Sequence, residues 1–346
     1  MTSFTEPTVE TYSNSASEEP SALLDAALPD GRRVPVVDIA HPAFAVHLSD
    51  AELEAQAETY ERESGPLREL PPNMRAALAQ STLGAAVMAS SGTYLAGLPT
   101  YVFKLGPEHL GAFDSALDRR LAASFPALTM RIRLQDMVHQ LADGLRAALR
   151  DGDASRPLLL VNIAGGAAAD SWNALMHLRR EQPGCLDARP IAIAVLDGDG
   201  DAPAFGAAAV NALKRPGAAL DGLNLDYRHI VYDWSDAGAL EKTLNGLGAR
   251  DAICGLSSEG GLFEYGSDAD IASNLRAFQA ASSRDAVVVG TVTHDSERAR
   301  RLASRGGAAT IPRSLAAFSQ LASLGGWVVE SVIERPFSRH VRLTKA

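Results

Sequence analysis

Residues 157–171 read Pro-Leu-Leu-Leu-Val-Asn-Ile-Ala-Gly-Gly-Ala-Ala-Ala-Asp-Ser, an apolar run that breaks at a glycine pair and continues in small residues with a helical pattern behind. Glycines let backbone approach a ligand closely, and the N-terminus of the following helix presents unpaired N–H groups to its polar or anionic atoms. Ala164, Gly165 and Gly166 are therefore candidate ligand-cradling residues, although ordinary strand–helix packing uses the same pattern. The next buried run, 191–196, ends in Asp197-Gly-Asp199-Gly-Asp201. A carboxylate at this point can accept from a ribose diol, with Asp197 first in line and Asp199 able to share the role; glycine-flanked acids also make solvated turns. A third run, 229–232, leads into Asp233-Trp234-Ser235-Asp236, where the acid can accept from an adenine amino group and the indole can stack on the ring. Asp233 suits a helix cap equally well. A fourth, 252–256, leads into Ser257-Ser258-Glu259-Gly-Gly-Leu-Phe-Glu-Tyr265, which holds candidate bases in Glu259 and Glu264.

The elements that must position these residues alternate. Helical patterns at 171–181, 204–213, 237–247 and 268–281 separate the strands, and a fifth apolar run lies at 286–292. Such alternation predicts a mostly parallel sheet covered on both faces, with ligands at the carboxyl edge where strand order reverses. Two further strands, 327–333 and 340–343, are separated only by residues 334–339 around Pro336, too few for a crossover helix. They should pair antiparallel.

Five parallel strands closed by an antiparallel hairpin, with polar clusters after the first four, resemble the class I S-adenosylmethionine (SAM) dependent methyltransferases over about residues 154–346. The resemblance implies an α/β, Rossmann-like seven-stranded sheet with SAM as methyl donor or as substrate. It places Ile163-Ala-Gly-Gly166 at the family's glycine loop, Asp197 at the ribose acid, Asp233-Trp234 beside adenine, and Ser257 to Tyr265 facing the sulfonium and the substrate. Two positions depart from the family. An alanine, Ala167 or Ala168, stands where a third glycine is usual, and Asn162 stands where an acid usually helps hold the ammonium of the methionine moiety. A neutral amide there removes a charge that favours the ammonium form, and a free α-amine titrates at about 7.7 to 8.0.

Before the sheet, the reading divides the chain into a flexible tail (1–35), a helical lid or substrate cap (36–150) and the SAM-binding domain (151–346). A capped helix starts at Ser49, and helical patterns cover 73–90, 107–123 and 133–150. The stretches 90–94 and 98–104 break the pattern and concentrate aromatics. Tyr94, Tyr101, Phe263 and Tyr265 are candidates to face a sulfonium, whose charge an aromatic ring stabilises by about 0.5 to 2 kcal/mol. The same rings would also serve simply to join lid and sheet. The residues expected to carry chemistry are thus Asn162, Tyr101, Glu259 and Tyr265, and those expected to hold the cofactor are Ala164, Gly165, Gly166, Asp197, Asp199, Asp233, Trp234 and Ser257. Asp170 and Ser171 read as helix caps, and none of His47, His139, His177 and His294 has a partner at metal-ligand spacing, so no metal is expected.

With 346 residues, 46% of them hydrophobic, the chain can hold one large and one smaller unit. A formal net charge of −10 argues against a nucleic-acid partner, and Cys185 and Cys254 carry neither metal nor redox spacing. No apolar run reaches the roughly 18 residues needed to span a bilayer, and the polar N-terminus is unlike a secretion signal, so a soluble cytoplasmic enzyme is expected. The resemblance allows a homodimer through the N-terminal helices. The leading reading is methyl transfer to a small-molecule acceptor in secondary metabolism. The alternatives are a SAM cyclase giving azetidine-2-carboxylate and methylthioadenosine, to which Asn162 points, and a non-catalytic SAM-binding or SAH-binding protein. Nicotinamide-dependent oxidoreduction fits less well, because the full G-x-G-x-x-G pattern is missing.

Overall fold

The computed structural model describes residues 22–65 and 69–346. It opens with a hairpin of β1 (Asp25–Ala27) and β2 (Arg33–Pro35), then α1 (Asp50–Glu63), α2 (Pro72–Ala79), α3 (Thr82–Ala89), α4 (Gly97–Lys104), α5 (Ala116–Ala122) and the long α6 (Phe125–Asp151). The alternating part follows as β3 (Leu158–Ile163), α7 (Ala169–Glu181), β4 (Ile191–Leu196), α8 (Asp201–Leu213), β5 (Leu225–Ile230), α9 (Ala237–Gly246) and β6 (Ile253–Ser258). It continues through α10 (Leu262–Tyr265), α11 (Asp268–Ala281), β7 (Val287–Thr293), α12 (Glu297–Gly306) and α13 (Leu315–Leu324) to β8 (Trp327–Glu334) and β9 (Ser338–Lys345).

Seven strands form one sheet in the order β5-β4-β3-β6-β7-β9-β8. β3 to β7 pair in parallel, and β9 lies antiparallel between β7 and β8. This is the expected architecture. The chain winds outward from β3 to β5 and returns to β6 on the other side of β3, so strand order reverses beside β3 and opens a crevice at its carboxyl end. β3 is buried along its whole length. Leu158 and Leu160 join the core under α6, α7 and α8; Leu159, Val161 and Ile163 join the core under α9, α11 and α13. The period of two thus fills both faces of a parallel strand with apolar side chains.

The N-terminal part is continuous with the first of these cores, which also takes in Ala26, Val34, Leu83, Tyr101, Val102 and Phe113. Helix α6, expected in the cap, ends at Asp151 and packs along α7, β6, β7 and β9. Local boundaries depart from the sequence reading for identifiable reasons. The expected helix at 73–90 is two helices, because Ser81 caps α3 by accepting from the Gly84 N–H and its own hydroxyl donates to buried Asp118 at 2.7 Å. The one expected at 107–123 begins only at Ala116, since Gly106 and Gly111 hold left-handed backbone at φ 76° and 58°. Residues 98–104, expected to break the helical pattern, instead form most of α4. Of the expected flexible tail, residues 1–21 lie outside the described residues, while 25–35 form the β1–β2 hairpin. Among the described residues, no helix is long and apolar enough to cross a membrane.

Candidate functional site

At the carboxyl end of β3 the chain passes through left-handed backbone at Ala164 (φ 52°), Gly166 (φ 62°) and Ala168 (φ 60°). For alanine this conformation costs about 1 kcal/mol or more per residue and persists only where the surroundings enforce it. Here they do. The Ala164 N–H donates to the Leu196 carbonyl at 2.9 Å, the Gly166 N–H to Asp197 Oδ2 at 3.0 Å, and the Tyr227 hydroxyl to the Ala167 carbonyl at 3.2 Å. Gly165 lies so close to Asn162 that a Cβ would stand 1.7 Å from Asn162 Oδ1. Gly97, opening α4, meets Gly166 backbone to backbone: a Cβ on Gly97 would sit 2.9 Å from Gly166 Cα and 2.8 Å from Ala202 Cβ. The N-terminal helices are therefore seated directly on the loop, a role for Gly97 that its sequence surroundings do not announce.

Beneath the loop lies a buried polar cluster. Sheet register sets Asn162 beside Ser257 of β6, and Asn162 Nδ2 donates both to Ser257 Oγ at 2.9 Å and to Asp170 Oδ1 at 2.7 Å. Asp170 Oδ1 also accepts from the Ser171 N–H at 2.8 Å. The cap expected of Asp170 is not its role: the N-cap position of α7 is Ala168, without a side-chain cap, and Asp170 turns toward the strand. Two atoms of this cluster, Asn162 Oδ1 and Asp170 Oδ2, are buried without a hydrogen-bond partner, as is Ser258 Oγ on the opposite face of β6. Burial, reinforced by the Glu259 carboxylate, pushes the Asp170 carboxyl up to about 6; Ser257 and Lys104 pull the other way.

Beside this cluster an ion array joins the N-terminal helices to the segment after β6 and to the end of β7. Lys104 Nζ of α4 donates to Glu259 Oε2 at 2.7 Å, with the two side chains only 4% and 1% exposed. Arg133 of α6 reaches the other oxygen of Glu259 at 3.3 Å and Glu264 at 2.9 Å, and Thr293 donates to Glu264 at 2.7 Å. Glu259, expected as a base, is thus held by two cations. The sequence reading missed Lys104 and Arg133; their positions inside apolar-flanked helices were the available signal. Arg313, also buried, fixes the backbone after β6 by donating to the Phe263 and Gly266 carbonyls and to Asp268.

On the other flank, Asp197 is half-buried, which raises its carboxyl above the usual range. Its Oδ1 accepts from the Asp199 N–H at 2.9 Å, and Asp199 in turn accepts from the Asp201 N–H. His229 bonds the Asp197 carbonyl at 2.9 Å. Asp233 is exposed and accepts from the Ser235 N–H, which lowers its carboxyl. The helix cap at this corner is Asp236, which accepts from the Ala239 N–H. Trp234 is half-buried, and the Tyr94 ring stands edge-on between Trp234 at 6.4 Å and Tyr265 at 6.0 Å. Burial and nearby Glu264 push the Tyr265 hydroxyl up to about 12.

Three other candidates lie elsewhere. Tyr101 is buried against Phe205 and Trp172; its hydroxyl donates to the Pro35 carbonyl at 2.7 Å and accepts from the Val37 N–H at 3.0 Å, tethering the segment after β2. This corrects the catalytic expectation for Tyr101, whose hydroxyl is engaged by backbone. Phe263 is a core residue packed on Gly290 and Phe318. His294 has both ring nitrogens engaged, by the Ser296 N–H and by Arg339.

No protein-family model matches the chain, and no curated protein matches it. Among solved structures, a possible exported protein from Bordetella parapertussis is similar over 86% of this chain and 96% of its own, at 18% identity and a TM-score of 0.53; the likeness is one of fold. The mitomycin 7-O-methyltransferase overlaps 86% of this chain and 74% of its own at 15% identity and a TM-score of 0.38. An O-methyltransferase from neocarzinostatin biosynthesis, solved with S-adenosylhomocysteine (SAH) and 1,4-dihydroxy-2-naphthoic acid, overlaps 79% and 70% at 15% identity and a TM-score of 0.37.

Proposed function

Proceeding from a class I methyltransferase-like fold, we propose that this chain binds SAM at the carboxyl edge of β3 and β4 and transfers its methyl group to a small-molecule acceptor in the cytoplasm. The observation that carries the reading is the strained loop at 164–168, roofing two unpartnered buried acceptors and continuous with Asp197. A ligand with a polar aminoacyl end and a ribose suits that combination. In this reading Ala164, Gly165 and Gly166 supply the cradle, Asn162 and Ser257 line its floor, Asp197 with Asp199 takes the ribose hydroxyls, and Asp233 and Trp234 border the adenine.

Bound SAM supplies an electrophilic methyl carbon on a sulfonium. The chain's part is to orient and to exclude water. Gly97 on Gly166 and the Lys104–Glu259–Arg133 array bring α4 and α6 over the strand ends, where a dry site keeps donor and acceptor collinear. Glu259 and Glu264 are held by cations, so proton abstraction by a free carboxylate is not available from them. The acceptor best served is one whose nucleophile is already deprotonated near neutral pH, with Tyr265 and Tyr94 offering aromatic contact. Cyclisation of SAM rested on a neutral environment at Asn162; Asp170 at 2.7 Å from that amide favours an ammonium instead.

Calorimetric titration tests the reading. The wild type is expected to bind SAM and SAH and not NAD, and Asp197→Ala to weaken SAM by about tenfold or more, the size of a lost charge-assisted hydrogen bond. Binding of NAD alone would overturn it. Methylthioadenosine appearing when the protein meets SAM without an acceptor would reinstate cyclisation.

A further inference from the structure

We propose that the amino ends of β3, β6 and β7, at the pole of the sheet opposite the loop at 164–168, carry a binding site for a phosphorylated small molecule, whose phosphate group is held by Arg250 and Arg284 over Ser283. This site shares no residue with the proposed SAM pocket and stands or falls independently of it.

Topology gathers these residues. Neighbouring parallel strands place the turns that precede them at one pole, so Arg156 before β3, Arg250 before β6 and Ser283 to Asp285 before β7 arrive side by side. β9 runs the other way and ends there: Thr344 pairs with Val287, and Lys345 donates to the Gln279 and Ser282 carbonyls at 2.6 and 2.8 Å. Arg156, Arg250, Ser283, Arg284 and Asp285 line a cleft of about 570 Å³ that is open to solvent. Pockets that hold small molecules span about 300 to 1,000 Å³.

The charges in this cleft do not balance. Arg156 is committed: it grips both oxygens of Asp285 and donates to the Asp251 and Ala252 carbonyls. Burial raises the Asp285 carboxyl, but Arg156 and then Ser283 outweigh it, so the one carboxylate of the lining stays ionised and paired. Arg250 and Arg284 are exposed and, among the described residues, make no hydrogen bond or ion pair. Lys345, which feels the charges of Arg250 and Asp285, and Asp251, which acts on Arg156 from outside the lining, offset each other. Two guanidinium charges are left over, in a chain whose formal net charge is −10. In the wall between them Ser283 is 7% exposed, and its hydroxyl has no hydrogen-bond partner and a proton free to turn toward the cleft.

The leftover charge selects the ligand. A phosphate monoester carries about two negative charges near neutral pH, and guanidinium forks fit its oxygens two at a time. A carboxylate brings only one charge. The acidity of the whole chain works against a long polyanion, and the cleft is wider than a phosphate alone requires, so the phosphate arrives on a small organic carrier.

Calorimetry in a phosphate-free buffer at about 0.15 M salt, with glycerol 3-phosphate, inorganic phosphate, acetate and a short single-stranded RNA as probes, tests the site. The wild type is expected to bind glycerol 3-phosphate and inorganic phosphate with a Kd of about 1 mM or below, and acetate about tenfold or more weakly. The double variant Arg250→Ala, Arg284→Ala is expected to lose about tenfold in affinity for glycerol 3-phosphate, and Ser283→Ala about threefold. The urea midpoint of the double variant should equal that of the wild type, because both arginines are exposed and have no partner to lose. Absence of binding by the wild type, equal affinity for acetate, or undiminished affinity in either variant overturns the site. Tighter binding of the RNA than of glycerol 3-phosphate also overturns it, in favour of a polynucleotide surface.

Discussion

Ala164 and Ala168 hold backbone that glycine adopts freely, at φ 52° and 60°. Replacing either by glycine removes the Cβ strain and adds unfolded-chain entropy, and the first effect is the larger. Ala168→Gly is therefore expected to raise stability, by about 0.5 to 1 kcal/mol in urea denaturation. The opposite change at the neighbouring glycine is severe: Gly165→Ala would drive a methyl into Asn162 Oδ1. It should cost about 2 kcal/mol or more and abolish SAM binding in the same titration.

At the scale of elements, the feature to explain is how α4 is held on the sheet. Its start touches Gly166 through Gly97, and its end delivers Lys104 to Glu259. Removing one member of a buried ion pair leaves the other charge uncompensated, which costs about 3 to 5 kcal/mol, while apolar replacement of both members is far milder. Lys104→Met should fall at the low end of that range, because Arg133 remains on Glu259. Lys104→Met with Glu259→Met should recover part of the loss, and a double-mutant cycle by urea denaturation measures the coupling. Equal, additive losses would mean that the two side chains act independently.

For the whole molecule, two buried groups set opposing pH dependences. His340, within 3.4 Å of Asp136, is pushed down to about 4 by burial, with Arg133 and Arg335 adding to the effect and Asp136 and Glu259 opposing it. Its folded value lies below the unfolded value, so the neutral ring's contribution is complete above about 6.5 and is lost as pH falls toward 4. Asp170 runs the other way. Its folded value, about 6, exceeds the unfolded one, so the folded state takes up the proton first and gains stability as pH falls from 6 toward 3.8. Between pH 6 and 4 the two largely cancel. Asp170→Asn should remove one side of that balance: more stable than wild type at pH 8, by about 2 kcal/mol, and steeper in its acid loss, as urea midpoints at pH 8 and 4.5 would show. A variant less stable at pH 8 would mean that ionised Asp170 is stabilised by partners other than a ligand.

The sheet was legible from the chain because buried parallel strands must be continuous apolar runs and their crossovers must be amphipathic. Residues 191–196 and 268–281 fall on β4 and α11. The six-residue gap at 334–339 forced the antiparallel hairpin of β8 and β9. Where burial was uneven the pattern faded: β5 is an edge strand, largely open to solvent, and the sequence shows only its last residues. Glycine spacing located the loop, and Asp197 by its place after β4. Tertiary structure alone decided which polar groups share the space beneath that loop, because Lys104, Arg133, Asn162, Asp170 and Glu259 come from five segments and meet through strand register and helix packing rather than through spacing. Asp170, eight residues after Asn162, comes back against it because a turn of left-handed backbone brings a helix start back against a strand end, a folding of the path that one-dimensional patterns do not encode.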